Sequence, residues 1–131
     1  MKKGELTEKL RPVFELYPQI KLVYLFGSMA RGETGPMSDY DFAVYLDEKN
    51  KEKISETKLS LIDKISIILK TDKIDIVTLN TPENTELKYN IIKDGELIYE
   101  EEPFRLFVEP KILNEYFDFH FLLKKYGLTK A

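Results

Sequence analysis

Two aspartates separated by a single residue, Asp39 and Asp41, follow the dipeptide Gly27-Ser28 after a spacer of ten residues. The aspartates open the segment DYDFAVYL, whose composition is typical of a β-strand. Because side chains alternate along a strand, Asp39 and Asp41 are predicted to project to the same side. Two like charges at one place require a cation, and oxygen ligands alone favour Mg²⁺. The pair therefore indicates a magnesium site, and magnesium in turn suggests a phosphate substrate.

The dipeptide Gly27-Ser28 ends an apolar run, so it can offer backbone N–H groups and a hydroxyl to a triphosphate at close range. Arg31 is a candidate charge partner for the phosphates, although an arginine in a turn can equally be a surface residue. Ser38 can orient the aspartate pair through a turn or capping hydrogen bond, and we include it among the nucleotide-binding candidates. An isolated Asp-x-Asp is also common in turns and caps, so the interpretation depends on the whole set.

Secondary-structure patterns around these residues predict an α/β fold: a small mixed sheet of about four strands flanked by helices. The predicted strands are 20–26, 39–46, 73–79 and 96–100. Predicted helices cover 5–17 and 52–70, a third begins at Thr81 and Pro82 and ends at Asp94 and Gly95, and the last covers 103–126. Pro12 is expected to kink or split the first helix, and Pro110 to interrupt the last one.

The C-terminal helical segment 103–126 is rich in aromatic residues, which cover more than one of its faces. They are Phe104, Phe107, Tyr116, Phe117, Phe119, Phe121 and Tyr126. Either the core is aromatic or a partner covers the rest. Because tyrosine and phenylalanine are enriched in the buried centres of interfaces, we favour a partner surface, in a homo-oligomer or a hetero-oligomer.

Length and composition limit the classes of function. With 131 residues the chain is predicted to form one domain, 1–131, with its core at about 20–100. A net charge of -3 gives no reason to expect direct nucleic-acid binding. The chain contains no cysteine and a single histidine, His120, which cannot alone build a zinc site or a serine triad and is interpreted as a packing residue. No apolar run is long enough for a membrane span and no signal peptide is recognisable, so we expect a cytoplasmic protein.

The segment FGSMARGETGPMSDYDFAVYL resembles the signature of the nucleotidyltransferase superfamily with a DNA polymerase beta type fold, in which Gly-Ser, a spacer and Asp-x-Asp follow one another. The short chain, the Ala-Arg-Gly after Ser28 and the late strand KIDIV are similar to the minimal nucleotidyltransferase (MNT) branch. The resemblance implies that Gly27 and Ser28 contact the triphosphate and that Asp39 and Asp41 bind metal. It also implies that Asp75, in KIDIV, is a third carboxylate that shares a metal and helps to deprotonate the attacking hydroxyl.

MNT proteins commonly pair with a HEPN-domain partner as antitoxin and toxin. The resemblance therefore implies an enzyme that uses ATP and about two Mg²⁺ ions to transfer AMP to a hydroxyl of a HEPN ribonuclease. Two alternatives stay open: a module that neutralises its partner by occlusion alone, and a transferase that modifies a small molecule such as an aminoglycoside. Gly35 and Pro36 in the spacer fit a rigid loop and could change the base preference.

Overall fold

The computed structural model of the protein describes residues 3–30, 39–82 and 84–127. Within these ranges four strands and four helices follow one another in the chain. They are α1 (Lys3–Glu15), β1 (Ile20–Phe26), β2 (Tyr40–Leu46), α2 (Lys51–Leu69), β3 (Ile74–Thr78), α3 (Thr85–Asp94), β4 (Glu96–Glu100) and α4 (Arg105–Lys125).

The four strands form one mixed sheet in the order β3-β2-β1-β4. β1 is antiparallel to both of its neighbours, whereas β2 and β3 are parallel and are connected by α2. A parallel pair needs such a crossover, because the chain must return to the end at which the first strand began. The predicted small mixed sheet flanked by helices is confirmed.

Each face of the sheet is covered by two helices. α1 and α2 pack on one face, where Phe42 and Val44 of β2 join the core. α3 and α4 pack on the other face, which receives Ala43 and Tyr45 of the same strand. This alternation confirms the predicted orientation of β2, and it places Asp41 on the face covered by α3 and α4.

Asn80 fixes the end of the parallel pair, directly after β3. Its side-chain oxygen accepts a hydrogen bond from the backbone N–H of Leu46 at 3.0 Å, and its amide nitrogen donates to the carbonyl of Leu46 at 2.7 Å. A side chain that pairs with both backbone groups of one residue acts like a further strand residue. The register of β2 against β3 is therefore held at both ends, since the N–H of Tyr40 also donates to the carbonyl of Lys73 at 2.9 Å.

The two helical prolines neither split nor end their helices. α1 continues through Pro12 and α4 continues through Pro110, so the predictions that they split or interrupt these helices are wrong. An interior proline costs about 3 kcal/mol. In α1 this cost is offset by four buried side chains, each of which contributes about 1.5–3 kcal/mol, on both sides of the proline. They are Leu6, Leu10, Val13 and Phe14.

The start of α3 also differs from the prediction. The helix begins at Thr85 rather than at Thr81 and Pro82, while its end at Asp94 and the cap at Gly95 are confirmed. The reason is that the carbonyl of Thr81 accepts a hydrogen bond from Lys88 Nζ at 2.7 Å, which holds this residue in the turn before the helix. β2 and β3 are each slightly shorter than predicted. None of the helices in the described part of the chain is long and apolar enough to cross a membrane.

Candidate active site

Three strands bring the predicted site residues to one end of the sheet. β1 ends at Phe26, and β2 and β3 begin beside it, so that Phe26 lies opposite Asp41 and Asp41 lies opposite Asp75. Residues that face one another across neighbouring strands project to the same face of a sheet. The structure thus brings Asp41 and Asp75 together, with Gly27 directly after Phe26. We refer to this part of the molecule as the acidic end of the sheet.

The carboxylates at the acidic end influence one another electrostatically. Asp41 is half-buried, whereas Asp39, just before β2, and Asp75 are exposed. Burial raises the pKa of Asp41 above its ordinary value, and the negative charges of Asp75 and then of Asp39 raise it further. Such a group of acids is the kind of site that a divalent cation stabilises.

Gly27 allows the chain to turn close to Asp41. Its φ of +75° lies in the left-handed region, which side chains other than glycine's rarely adopt. A Cβ at this position would overlap the Oδ2 atom of Asp41. Ser28 follows in the turn and is half-buried. Gly27 therefore lies against Asp41, and both predicted phosphate contacts, Gly27 and Ser28, directly follow β1, the strand next to β2.

Two of the predicted nucleotide-binding residues, Arg31 and Ser38, lie outside the described residues, as do Gly35 and Pro36 of the spacer. Their assignment stays a prediction.

Comparisons with known proteins identify the family. The family model described as "Polymerase beta, Nucleotidyltransferase" matches residues 8–104. The chain belongs to this nucleotidyltransferase family. It is 35% identical over 104 residues to the Protein adenylyltransferase MntA of Aphanizomenon flos-aquae, an alignment that covers 75% of this chain and 69% of the relative.

Solved structures share the fold of this nucleotidyltransferase. A toxin-antitoxin crystal structure with AMP-PNP contains a chain with a TM-score of 0.73 and 21% identity, and the match covers 96% of this chain and 95% of that one. A complex of a tri-AMPylated Shewanella oneidensis HEPN toxin with an MNT antitoxin matches with a TM-score of 0.72 and 18% identity, covering 95% of each chain.

The fit of a magnesium ion can be judged from the donor groups at the acidic end. Within residues 3–30, 39–82 and 84–127, no three acidic or histidine side chains stand close enough together to enclose a metal ion. The chemistry of the donors nevertheless fits magnesium, because Asp39, Asp41 and Asp75 are hard oxygen donors at one end of the sheet. In addition, the pKa of Asp41 is raised, and a bound cation would lower it. The assignment of these aspartates as magnesium ligands stays a prediction.

His120 packs as predicted and lies away from the aspartates. It is half-buried on α4, with its Nε2 atom 2.5 Å from Glu86 Oε1 and its ring centroid 4.3 Å from that of Tyr116. The sequence analysis did not identify Lys88, a charged residue that is only 4% exposed. Its ammonium group donates a hydrogen bond to the carbonyl of Thr81, in the turn before α3. Its position three residues before the buried Ile91 was the one available signal. The steric contact between Gly27 and Asp41 was also missed, because it depends on the register of β1 against β2.

Substituting Gly27 with alanine tests the close approach at the acidic end. We expect the protein to lose about 1–2 kcal/mol of stability, the cost of a left-handed backbone with a Cβ. Nucleotidyl transfer should fall further than stability alone explains, because the new methyl group displaces the Asp41 carboxylate. Thermal unfolding and pyrophosphate release from ATP measure the two effects.

Gly4→Ala is the matched control, since a Cβ at Gly4 meets nothing within 4 Å. It should leave both quantities at or above their wild-type values, because alanine favours a helix over glycine. Wild-type transfer by Gly27→Ala would show that the position of Asp41 does not depend on this glycine.

Proposed function

We propose that this nucleotidyltransferase is a Mg²⁺-dependent protein adenylyltransferase that transfers AMP from ATP to a hydroxyl of a HEPN ribonuclease and so acts as its antitoxin. The observation that carries the proposal is the pairing of three neighbouring strands at the acidic end. Asp41 of β2 lies opposite Asp75 of β3 on one side and opposite Phe26, the residue before Gly27, on the other. The relative named Protein adenylyltransferase MntA and the fold shared with the antitoxin of an AMPylated HEPN toxin support it. The cytoplasm, where ATP and RNA are present, is the proposed location.

The predicted site residues have two roles in the reaction, phosphate binding and metal binding. Gly27 and Ser28 hold the triphosphate through backbone N–H groups and a hydroxyl, with Arg31 and Ser38 as further candidates. Asp39, Asp41 and Asp75 would hold magnesium, for which two ions are expected. Magnesium, when bound, stabilises the negative charge that develops on the attacking and leaving oxygens.

The transfer step is an in-line displacement at the α-phosphorus of ATP. The acceptor hydroxyl oxygen forms the new bond to phosphorus while the bond to the bridging oxygen breaks, and pyrophosphate leaves with the electron pair. Asp75 is exposed at the start of β3 and takes the proton of the attacking hydroxyl. Its position opposite Asp41, which itself lies opposite Phe26 before the turn at Gly27, supports this role.

Exposure of the site favours a protein as the acceptor. Asp39 and Asp75 are both exposed to solvent, so water has direct access to the reacting groups. Transfer to a hydroxyl other than that of water requires that water be excluded. A folded partner can do this with its own surface, whereas a small molecule such as an aminoglycoside cannot cover the acidic end by itself.

The raised pKa of Asp41 argues against a module that acts by occlusion alone. Placing Asp41 opposite Asp75, with Asp39 near enough to raise its pKa, costs free energy, and a protein that only covers its partner gains nothing from these charges. An enzyme gains a metal site.

Incubation with ATP, Mg²⁺ and the cognate HEPN protein tests the proposal. We expect pyrophosphate release and a partner that is heavier by one or more adenylyl groups, located by mass spectrometry on a tyrosine, serine or threonine. An aminoglycoside offered in place of the partner should stay unmodified. The double variant Asp39→Asn, Asp41→Asn is the control. If this variant silenced the ribonuclease as well as the wild type does, and the partner stayed unmodified throughout, the module that acts by occlusion would be the correct function.

A further inference from the structure

The outward face of α4 carries a continuous apolar stripe. Its members recur at spacings of four, three, four and four residues, which is the period of one helix face. They are Leu106, Pro110, Leu113, Phe117 and Phe121. The opposite face of the helix carries Val108 and Ile112, which are buried against the sheet. The stripe is thus separate from the core, and Phe121 is 66% exposed.

The two halves of the stripe have complementary shapes. Beside its first half lies a cavity of about 440 Å³, whose lining includes Leu106, Pro110, Leu113 and the acidic Glu102. From the second half two aromatic side chains project into solvent. These are Phe117, 56% exposed, and Phe121. One half therefore presents a recess and the other presents groups that can fill it.

Four members of the stripe also have the same spacing when read from either end. Leu106 and Pro110 are four residues apart, as are Phe117 and Phe121, and the midpoint falls between Leu113 and Asn114. A second copy of α4 that packs antiparallel about this midpoint sets Phe121 of the second copy against Leu106. The same rotation sets Phe117 of the second copy against Pro110. Both phenylalanines then lie beside the cavity of the other copy, as a two-fold interface requires.

Charges at the ends of α4 favour the same arrangement. Glu102 precedes the helix and Lys125 is its last residue. The midpoint that aligns the apolar residues brings Lys125 of the second copy to the end of α4 at which Glu102 lines the cavity, and this occurs twice in the pair. A parallel arrangement would instead bring the two Lys125 side chains together. Charge complementarity therefore selects the antiparallel direction.

We propose that a second copy of this chain docks on the stripe, so that two copies pair antiparallel through α4. The acidic end stays open in such a dimer. α4 starts after β4, and Glu100 at the end of β4 pairs with Leu22 near the start of β1, whereas Gly27 follows the end of β1. The contact between Phe104 and Tyr45, with ring centroids 6.3 Å apart, likewise lies towards the end of β2. Each copy can then present its own active site to a partner.

Sedimentation velocity of the full chain, alone and without ATP, tests the proposal. The wild-type protein is expected to sediment as a dimer of the 15.4 kDa chain. Phe121→Asp should weaken the dimer by at least a hundredfold in dissociation constant, because each dimer loses two buried phenylalanines and gains two buried charges. Ile67→Asp is the matched control on α2, where Ile67 is 76% exposed, and it should leave the dimer intact.

Charge reversal tests the register independently of folding. Glu102→Lys and Lys125→Glu should each weaken the dimer, and the two changes in one chain should restore it. Circular dichroism checks that every variant is folded. A wild-type chain that is monomeric at all concentrations would overturn the proposal. If Phe121→Asp weakened only the binding of the HEPN protein, the stripe would be the docking surface for that partner instead. A dimer that tolerates Phe121→Asp, or a double reversal without recovery, would equally refute the antiparallel pairing. None of these measurements depends on AMP transfer.

Discussion

Substituting Asp41 with asparagine is expected to reduce AMP transfer by roughly a thousandfold, because a lost metal ligand removes several kcal/mol of transition-state stabilisation and each tenfold in rate corresponds to about 1.4 kcal/mol. Asp41 is the central carboxylate of the site, opposite Asp75 and against Gly27. Asparagine has nearly the same shape, so the turn at Gly27 should be retained. Pyrophosphate release and adenylylation of the partner measure the loss.

The same substitution should not lower the melting temperature when magnesium is absent. Because burial, Asp75 and Asp39 raise the pKa of Asp41, the folded protein holds this proton more tightly than the unfolded chain does. The contribution of Asp41 to stability is therefore greatest at low pH and is lost as the pH rises from the unfolded pKa through the raised folded pKa. At neutral pH the charged side chain is destabilising, and asparagine removes that charge.

Thermal unfolding in EDTA and in excess Mg²⁺ measures this effect. Magnesium should stabilise the wild-type protein more than Asp41→Asn, since a ligand that binds the folded state raises its stability. Asp63→Asn, a change at an exposed position of α2, should behave like the wild type in both solutions. Near wild-type transfer by Asp41→Asn would show that Asp41 does not bind the metal.

Substituting Asp75 with asparagine is expected to lower transfer by about a hundredfold or more, the range for loss of a general base. Nucleotide binding should be largely retained, because the proposed role of Asp75 concerns the acceptor hydroxyl more than the triphosphate. Equilibrium titration with a non-hydrolysable ATP analogue in the presence of Mg²⁺ separates the two effects.

Asp72→Asn is the matched control for this substitution. Asp72 is exposed in the turn before β3, three residues from Asp75, so its loss should leave both transfer and binding unchanged. If Asp75→Asn lost affinity for the analogue by the same factor as it lost rate, Asp75 would hold the substrate rather than activate the acceptor.

Local patterns in the sequence predicted most elements of the fold. The strand Ile20–Phe26 was predicted with its observed limits, because an apolar, β-branched run that stops at a glycine has few other interpretations. The predictions for Pro12 and for the start of α3 were wrong because non-local contacts determine the structure there. Pro12 is accommodated by apolar contacts that four side chains make with the core, and the start of α3 depends on a hydrogen bond between Thr81 and Lys88.

The candidate site, like the fold, was predictable where it depends on local pattern and not where it depends on strand register. Alternation predicted that Asp39 and Asp41 project to one side. The structure confirms the alternation within β2, whereas Asp39 lies just before this strand. The proximity of Asp75 was implied by family resemblance alone, since no local pattern specifies which residue of β3 lies opposite Asp41. The contact between Gly27 and Asp41 was beyond sequence reasoning for the same reason, because it follows from strand register.

The parallel pairing of β2 with β3 also determines when during synthesis an active site can exist. Asp41 and Asp75 become neighbours only after the intervening α2 has packed and returned the chain to the acidic end. Long-range pairing of this kind forms late in folding, whereas the antiparallel pair of β1 and β2 joins segments closer in sequence. A nascent chain that ends with α2 therefore already holds Gly27, Asp39 and Asp41 but lacks Asp75, to which we assign the role of base. On that assignment, nucleotidyl transfer must await the emergence of β3 from the ribosome.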